Sequence, residues 1–194
     1  MATPIPLLIP KTLRLTDAQF LEFVRANPDL RLERTATGEL IAMSPTGSET
    51  GNYNSELTAD ITLWNRQQRL GKVFDSSSGF RLPNGAIRSP DVAWVAQSRW
   101  NALTLEQQQG FAPLCPDFVI ELMSKSDDQT TLQLKMQEYL DNGCQLGWLI
   151  VPTARTVGIY RPQHPPEMVD FETPLYGEPV LPGFILNLQA IFAT

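Results

Sequence analysis

Three residues in this sequence place a charge where charge is expensive. Asp91 follows Ser89-Pro90 and opens the apolar run Val92-Ala93-Trp94-Val95. Glu121 stands inside Phe118-Val119-Ile120-Glu121-Leu122-Met123, where a carboxylate is costly without a partner or a metal. Lys135 falls roughly two turns into the helical pattern that follows, so it can face back toward that strand. Two carboxylates converging from adjacent strands repel each other, and a divalent cation removes the repulsion. Magnesium suits such a pair, because it takes one or two carboxylates, keeps several waters and leaves room for phosphate oxygens. Water on the ion becomes a nucleophile, and a nearby lysine orients it or stabilises charge developing at phosphorus. This is minimal equipment for hydrolysing a phosphodiester. Plainer roles also exist. Glu121 could form an internal ion pair, Asp91 could cap a turn, and Lys135 could pair on an exposed helix face with Asp128, Glu138 or Gln129.

Other kinds of chemistry lack their parts. The single histidine, His164, lies in the loop Arg161-Pro162-Gln163-His164-Pro165-Pro166, not on a supported element, so triad hydrolases and multi-histidine metal sites are excluded. Cys115 and Cys144 have no nearby Cys or His partner, which argues against a zinc site and a disulfide scaffold and for a reduced, cytosolic setting. Both cysteines, with Trp94, Trp100 and Trp148, read as packing residues.

The elements that must position these residues follow from pattern and punctuation. Residues 1–13 are extended, because Pro4, Pro6 and Pro10 deny them a helix. A helix starts at the capping box Thr16-x-x-Gln19 and stops at Asn27-Pro28. A hairpin of strands Leu30–Arg34 and Glu39–Met43 turns at Ala36-Thr37-Gly38. A long helix runs from Ser48 to Leu70, capped by Ser48 or Thr50 and ended by Gly71; Tyr53, Leu57, Ile61 and Trp64 are its buried stripe, with Glu49, Glu56 and Asp60 beside it. Strands are expected over 72–82, 88–96, 116–123, 145–151 and 156–161. A third helix spans Asp128–Asn142, with Ser124, Ser126 and Asp127 as its capping group and Gly143 just past its end. Strand–helix–strand from 116 to 151 is a crossover unit, so its two strands are parallel. A Pro-rich, acidic tail holds one short strand before 184–193. The expected class is α/β, a mixed sheet flanked by helices, with no internal repeat.

Composition sets outer bounds. The chain has 194 residues, 42% of them hydrophobic, which is enough for a core and excludes global disorder. Apolar runs such as Leu146–Val151 are too short to span a bilayer, and Met1–Pro10 reads as neither signal peptide nor anchor. The net charge of −6 excludes a non-specific nucleic-acid coat protein. The charge is uneven: residues 60–100 carry 6 basic and 3 acidic groups, through Arg66, Arg69, Lys72, Arg81, Arg88 and Arg99. That is the stretch able to touch phosphates, although a solvated surface is the simpler reading.

The runs Ser89-Pro90-Asp91-Val92-Ala93-Trp94-Val95, Pro116-Asp117-Phe118-Val119-Ile120-Glu121-Leu122-Met123-Ser124, Lys135 and Gly147-Trp148-Leu149-Ile150-Val151 resemble a large bacterial family of restriction-endonuclease-like proteins of unknown cellular role. That family is a branch of the PD-(D/E)XK nuclease superfamily. The resemblance covers roughly residues 15–165 and weakens in the tail. It implies one restriction-endonuclease-like domain over 1–194: an N-terminal helix and hairpin (1–45), a nuclease-like core (46–162) and a C-terminal extension (163–194). It implies a Mg2+ or Mn2+ site, DNA as partner, a homodimer and a cytoplasmic location. Asp91 matches the aspartate of the PD element and Glu121 the acid of the second element. Methionine stands where the superfamily lysine would be, at Glu121-Leu122-Met123; Lys135 takes the place from which related chains supply it, with Lys125 as the nearer alternative. The acid that the superfamily often draws from its first core helix corresponds to Glu49, or else Glu56. Asp117, also after a proline, opens its strand or supports the site from behind. A different class of function remains, a binding or assembly module on a dormant site, and so does hydrolysis of a small phosphoester.

Overall fold

The computed structural model describes residues 9–10 and 12–193. Apart from Ile9 and Pro10, the N-terminal segment read as neither signal nor anchor lies outside the described residues. The capping box at Thr16 opens helix α1 (Asp17–Ala26). The hairpin follows as β1 (Arg31–Arg34) and β2 (Leu40–Met43), then helix α2 (Ser48–Gln68). Strands β3 (Gly71–Asp75), β4 (Phe80–Arg81), β5 (Ile87–Arg88) and β6 (Val92–Ala96) come next. Short helices α3 (Gln97–Asn101) and α4 (Leu105–Gln109) lead to β7 (Phe118–Leu122), helix α5 (Gln129–Asp141) and β8 (Leu146–Val151). The chain closes with β9 (Thr156–Tyr160), β10 (Glu167–Asp170), β11 (Leu175–Tyr176), β12 (Ile185–Leu186) and α6 (Leu188–Ile191).

Six strands form the main sheet in the order β10-β9-β8-β7-β6-β3. β7 and β8 run parallel, as a crossover through α5 requires, and the other pairs are antiparallel. The fold is therefore α/β, a mixed sheet flanked by helices, as expected. The alternation of β7 decides its two faces. Phe118, Ile120 and Leu122 point into a core shared with Leu57, Ile61 and Trp64 of α2. Val119 points to the other side, into a core shared with Met136 and Tyr139 of α5. Each fully buried large side chain here, Trp148 and Phe118 among them, contributes about 1.5–3 kcal/mol by leaving water. A second sheet, β2-β1-β5-β4, covers a smaller core under α1 built on Phe20, Leu32, Leu40 and Ile87. The tail is more than one short strand: Phe171, Leu175, Leu181, Phe184, Leu186 and Phe192 complete the α2-side core.

Five local expectations need correction. The strand expected over 88–96 is split at Ser89-Pro90, with Ile87–Arg88 in the second sheet and Val92–Ala96 in the main one. The strand expected over 72–82 is two strands in different sheets, because Asp75 Oδ1 accepts from the Ser77 N–H (3.0 Å) and Oγ (2.6 Å) and turns the chain. Helix α2 is preceded by Gly47 without a side-chain cap, and it ends at Arg69, which takes the left-handed conformation (φ 56). Gly71 serves the sheet instead: a Cβ there would lie 2.3 Å from the Val95 carbonyl oxygen and 2.5 Å from the Trp94 ring. The cap of α5 is Asp128, which accepts from the Thr131 N–H at 2.7 Å, while Asp127 accepts from the Ser124 N–H at 2.7 Å and shapes the loop before it.

Cys115 and Cys144 are buried free thiols. Burial pushes Cys115 up to about 12 and Cys144 well above the ordinary thiol range. Ellman's reagent is expected to report no thiol in the native protein and two after guanidinium unfolding. A thiol that reacts in the native state would contradict this packing. Among the described residues, no helix is long and apolar enough to cross a membrane.

Candidate active site

Strand register brings the two carboxylates together. β6 and β7 pair with Val92 opposite Ile120, so one step further Asp91 stands opposite Glu121. Directly opposed residues of an antiparallel pair have Cβ atoms about 4.5–5.5 Å apart. The period of two turns Glu121 away from α2 and toward α5, the face on which Val119 lies, whereas Asp91, one residue before β6, also keeps a contact with α2. Asp91 Oδ2 accepts from the Leu122 N–H at 2.8 Å, and Oδ1 accepts from Asn54 Nδ2 of α2 at 3.1 Å. From α5, Lys135 Nζ reaches Glu121 Oε1 at 2.9 Å. The Tyr139 hydroxyl donates to the same Oε1 at 2.9 Å, which leaves Oε2 without a protein partner among the described residues.

Asp91, Glu121 and Lys135 line one cleft of about 780 Å³, and Glu49 and Lys125 line it as well. Glu49 is largely exposed and sits 3.6 Å from Lys125 Nζ, so both stand at the mouth. Glu56 is exposed and is not among the cleft residues. Lys135 pairs with none of Asp128, Glu138 or Gln129. Asp117 accepts from the Ala96 N–H (2.8 Å) and from Arg99 Nη1 (2.7 Å), so it opens its strand and pins α3, away from the cleft.

Half of the basic stretch is spent in ion pairs within the chain. Arg81 pairs with Asp17 at 2.7 Å, Arg99 with Asp117, and Arg88 with Glu33 at 3.0 Å and Glu138 at 2.6 Å. Arg66, Arg69 and Lys72 stay exposed. The expected six-residue phosphate surface is therefore about half that size, because partly buried guanidinium groups need carboxylate partners.

Three participants are absent from the sequence reading. Glu33, only 2% exposed, comes from β1 and accepts from Lys135 at 2.9 Å. Tyr139 packs in the core on the α5 side, and its hydroxyl, which donates to Glu121, gives it a second role. Arg31 lines the cleft, donates to the Ser76 carbonyl and acts electrostatically on Asp91. Nothing local in Leu32-Glu33-Arg34 marks Glu33, since a strand acid facing water reads the same way.

The electrostatics suit a cation. Burial pushes the Glu121 carboxyl up to about 7, against the pull of Lys135 and with help from the charges of Asp91 and Glu33. Burial also raises Asp91, in part offset by the Leu122 N–H. Burial would raise Glu33 too, but Lys135, Arg88 and the Ser89 N–H outweigh it and hold that carboxyl below its usual value. Lys135 is buried against two carboxylates that keep its ammonium charged well beyond the ordinary range. Four carboxylates (Asp91, Glu121, Glu33, Glu138) thus face three cations (Lys135, Arg88, Arg31). Among the described residues no three His, Cys, Asp or Glu side chains form a cage for an ion. Two oxygen donors in surplus negative charge, with room for water, fit Mg2+ or Mn2+ better than a metal needing a full protein shell.

Comparisons with known proteins give the family and the fold. A family model, Uma2, described as "Putative restriction endonuclease", matches residues 17–189, further into the tail than the sequence resemblance reached. A crystal structure from Anabaena variabilis, described as "a putative nuclease belonging to DUF820", is 24% identical over 92% of this chain and 98% of its own, with a TM-score of 0.78, and so shares the fold. No curated protein matches the chain.

Proposed function

This chain belongs to the Uma2 family of restriction-endonuclease-like proteins, and on that premise we propose that it is a divalent-metal-dependent phosphodiesterase acting on DNA. The observation that carries the proposal is the convergence of Asp91, Glu121 and Lys135 on one cleft. Asp91 and the Oε2 side of Glu121 would hold Mg2+ or Mn2+, with Glu49 assisting from the mouth. When bound, the cation supplies Lewis acidity that stabilises negative charge at phosphorus and makes water more acidic. Lys135 donates a hydrogen bond to the attacking water or to the oxygen gaining charge. Water adds to phosphorus as the bond to the departing sugar oxygen breaks; the water gives up a proton to solvent and the departing oxygen takes one from solvent. Thr46 joins the cleft to a second groove along α2, about 550 Å³, lined by Asn54, Thr58, Thr62 and Arg66, a route for the rest of the strand. We place the protein in the cytoplasm as a homodimer, the arrangement that brings two sites to two strands.

The test is incubation of supercoiled plasmid with Mg2+ or Mn2+, against EDTA. Nicking that needs the metal is expected. Absence of cleavage, together with no Mn2+ binding by calorimetry, overturns the proposal. A second reading, a binding module on a dormant site, draws on the loss of Arg81, Arg88 and Arg99 to internal pairs, and it requires intact Mn2+-free DNA or protein binding instead. Glu49 is exposed and screened by water, so Glu49→Gln is expected to change cleavage less than about fivefold. Glu56→Gln, away from the cleft, should leave the rate unchanged in the same assay.

A further inference from the structure

Glu33 sits on a different sheet from the two strand carboxylates, yet its side chain ends at the same lysine. Oε1 accepts from Lys135 Nζ (2.9 Å) and from the Ser89 N–H (2.8 Å), and Oε2 accepts from Arg88 Nη1 (3.0 Å). Arg88 Nε continues to Glu138 Oε2 at 2.6 Å. Glu138 lies three residues past Lys135 on α5, so Glu33, Arg88, Glu138 and Lys135 close a ring through that helix. Asn84 Nδ2 steadies the ring at Glu138 Oε1 (3.0 Å). Buried ionic rings are seldom the cheapest way to stabilise a fold, since apolar residues of similar volume often do as well. This ring stands at the wall of the cleft and fixes one of its functional groups.

An ammonium has three hydrogens to donate. Lys135 gives one to Glu33 and one to Glu121, and its third remains for the cleft that it lines. Two anchors fix the direction of the third. A single anchor on Glu121 would leave Lys135 turning about that carboxylate and competing for both of its oxygens. We propose that Glu33 is the positioning residue of this site: it holds the Lys135 ammonium in place independently of Glu121, so that Glu121 can engage a cation without losing the lysine. The proposal rests on the phosphodiesterase reading for its consequence in turnover, but not for its geometry.

The test reads geometry and turnover separately. The chain has four lysines. Lys72 and Lys125 are exposed, so their ammonium hydrogens exchange rapidly with water. In 15N-labelled protein Lys135 should give a slowly exchanging ammonium signal, assigned by its loss in Lys135→Arg. In Glu33→Gln that signal is expected to vanish or to exchange at least about tenfold faster, and kcat to fall by about ten- to a hundredfold with KM within about twofold. Glu33→Asp should recover part of both. If Glu33→Gln fails to fold, the triple variant Glu33→Gln, Arg88→Gln and Glu138→Gln neutralises the rest of the ring, leaves Lys135 paired with Glu121, and carries the same expectation. A folded variant that keeps the slow Lys135 signal unchanged overturns the proposal whether or not the wild type cleaves. A wild type that never cleaves, but whose Lys135 signal depends on Glu33, sinks the phosphodiesterase reading and leaves the positioning role standing.

Discussion

Asp91→Asn is expected to lower metal-dependent plasmid cleavage by at least about a thousandfold, and Glu121→Gln to match it. A ligated cation is worth several kcal/mol of charge stabilisation in the transition state, and each 1.36 kcal/mol is about tenfold in rate. Asp91→Asn is the cleaner of the two, because the surrounding structure can absorb it. An asparagine can still accept from the Leu122 N–H, as Oδ2 of Asp91 now does at 2.8 Å. Its amide then points at Asn54, which at present donates to Asp91 through Nδ2 and keeps Oδ1 buried without a partner. A flip of the Asn54 amide turns that orphaned oxygen into the acceptor that the variant needs. The folded state should therefore survive, with a melting temperature within a few degrees of wild type, about 1 kcal/mol at this size. Calorimetric Mn2+ binding should disappear along with cleavage. A variant that cuts within tenfold of wild type would remove Asp91 from the metal site and the proposed chemistry with it.

The parts of the site that were legible in the sequence are those in which a local pattern breaks its own rule. A carboxylate inside the apolar run of β7 had to have a partner, and the crossover through α5 supplied an amine on the matching face. Glu33 broke no rule visible in its neighbourhood. Its role depends on β1 pairing with β5 at Arg34 and Ile87, a contact more than fifty residues distant that brings Ser89 and Arg88 beside it. No short-range periodicity encodes such pairing. The same limit explains the basic stretch: six cations in a row of residues say nothing about which will be consumed by Asp17, Glu138 or Asp117. Helix α4 is a different case. Its signal, Thr104 with Gln107 as a capping box, stands in the sequence as plainly as the one at Thr16, and it went unused because no apolar stripe followed it. The broken strand at 75–79 likewise carried its cause openly, in an aspartate followed by three serines and a glycine.

Lys135→Met is expected to separate what the lysine does for stability from what it does in the cleft. Methionine fills the space but leaves Glu33 and Glu121 without their shared ammonium, and removing one member of a buried ion pair costs about 3–5 kcal/mol. The cost should depend on pH, and the direction follows from Glu121. With Lys135 present, burial already holds its carboxyl at about 7, above the ordinary 4.5. A carboxyl raised on folding contributes its full stability below the unfolded value and loses it as pH rises through the folded value. Without the lysine that folded value rises further, and Glu33 loses the larger of the two cationic influences that now hold it down. Both carboxyls then stay protonated to higher pH in the folded variant. The penalty should thus be largest near pH 8 and shrink steadily toward pH 5, as the two groups take up protons in place of the missing charge. Urea unfolding of both proteins at several pH values reads the difference directly, and the acid sensitivity of every other carboxylate cancels in it. An equal penalty at pH 8 and pH 5 would mean that Lys135 stabilises the protein only by packing, and that the buried charges around it are neutralised from elsewhere.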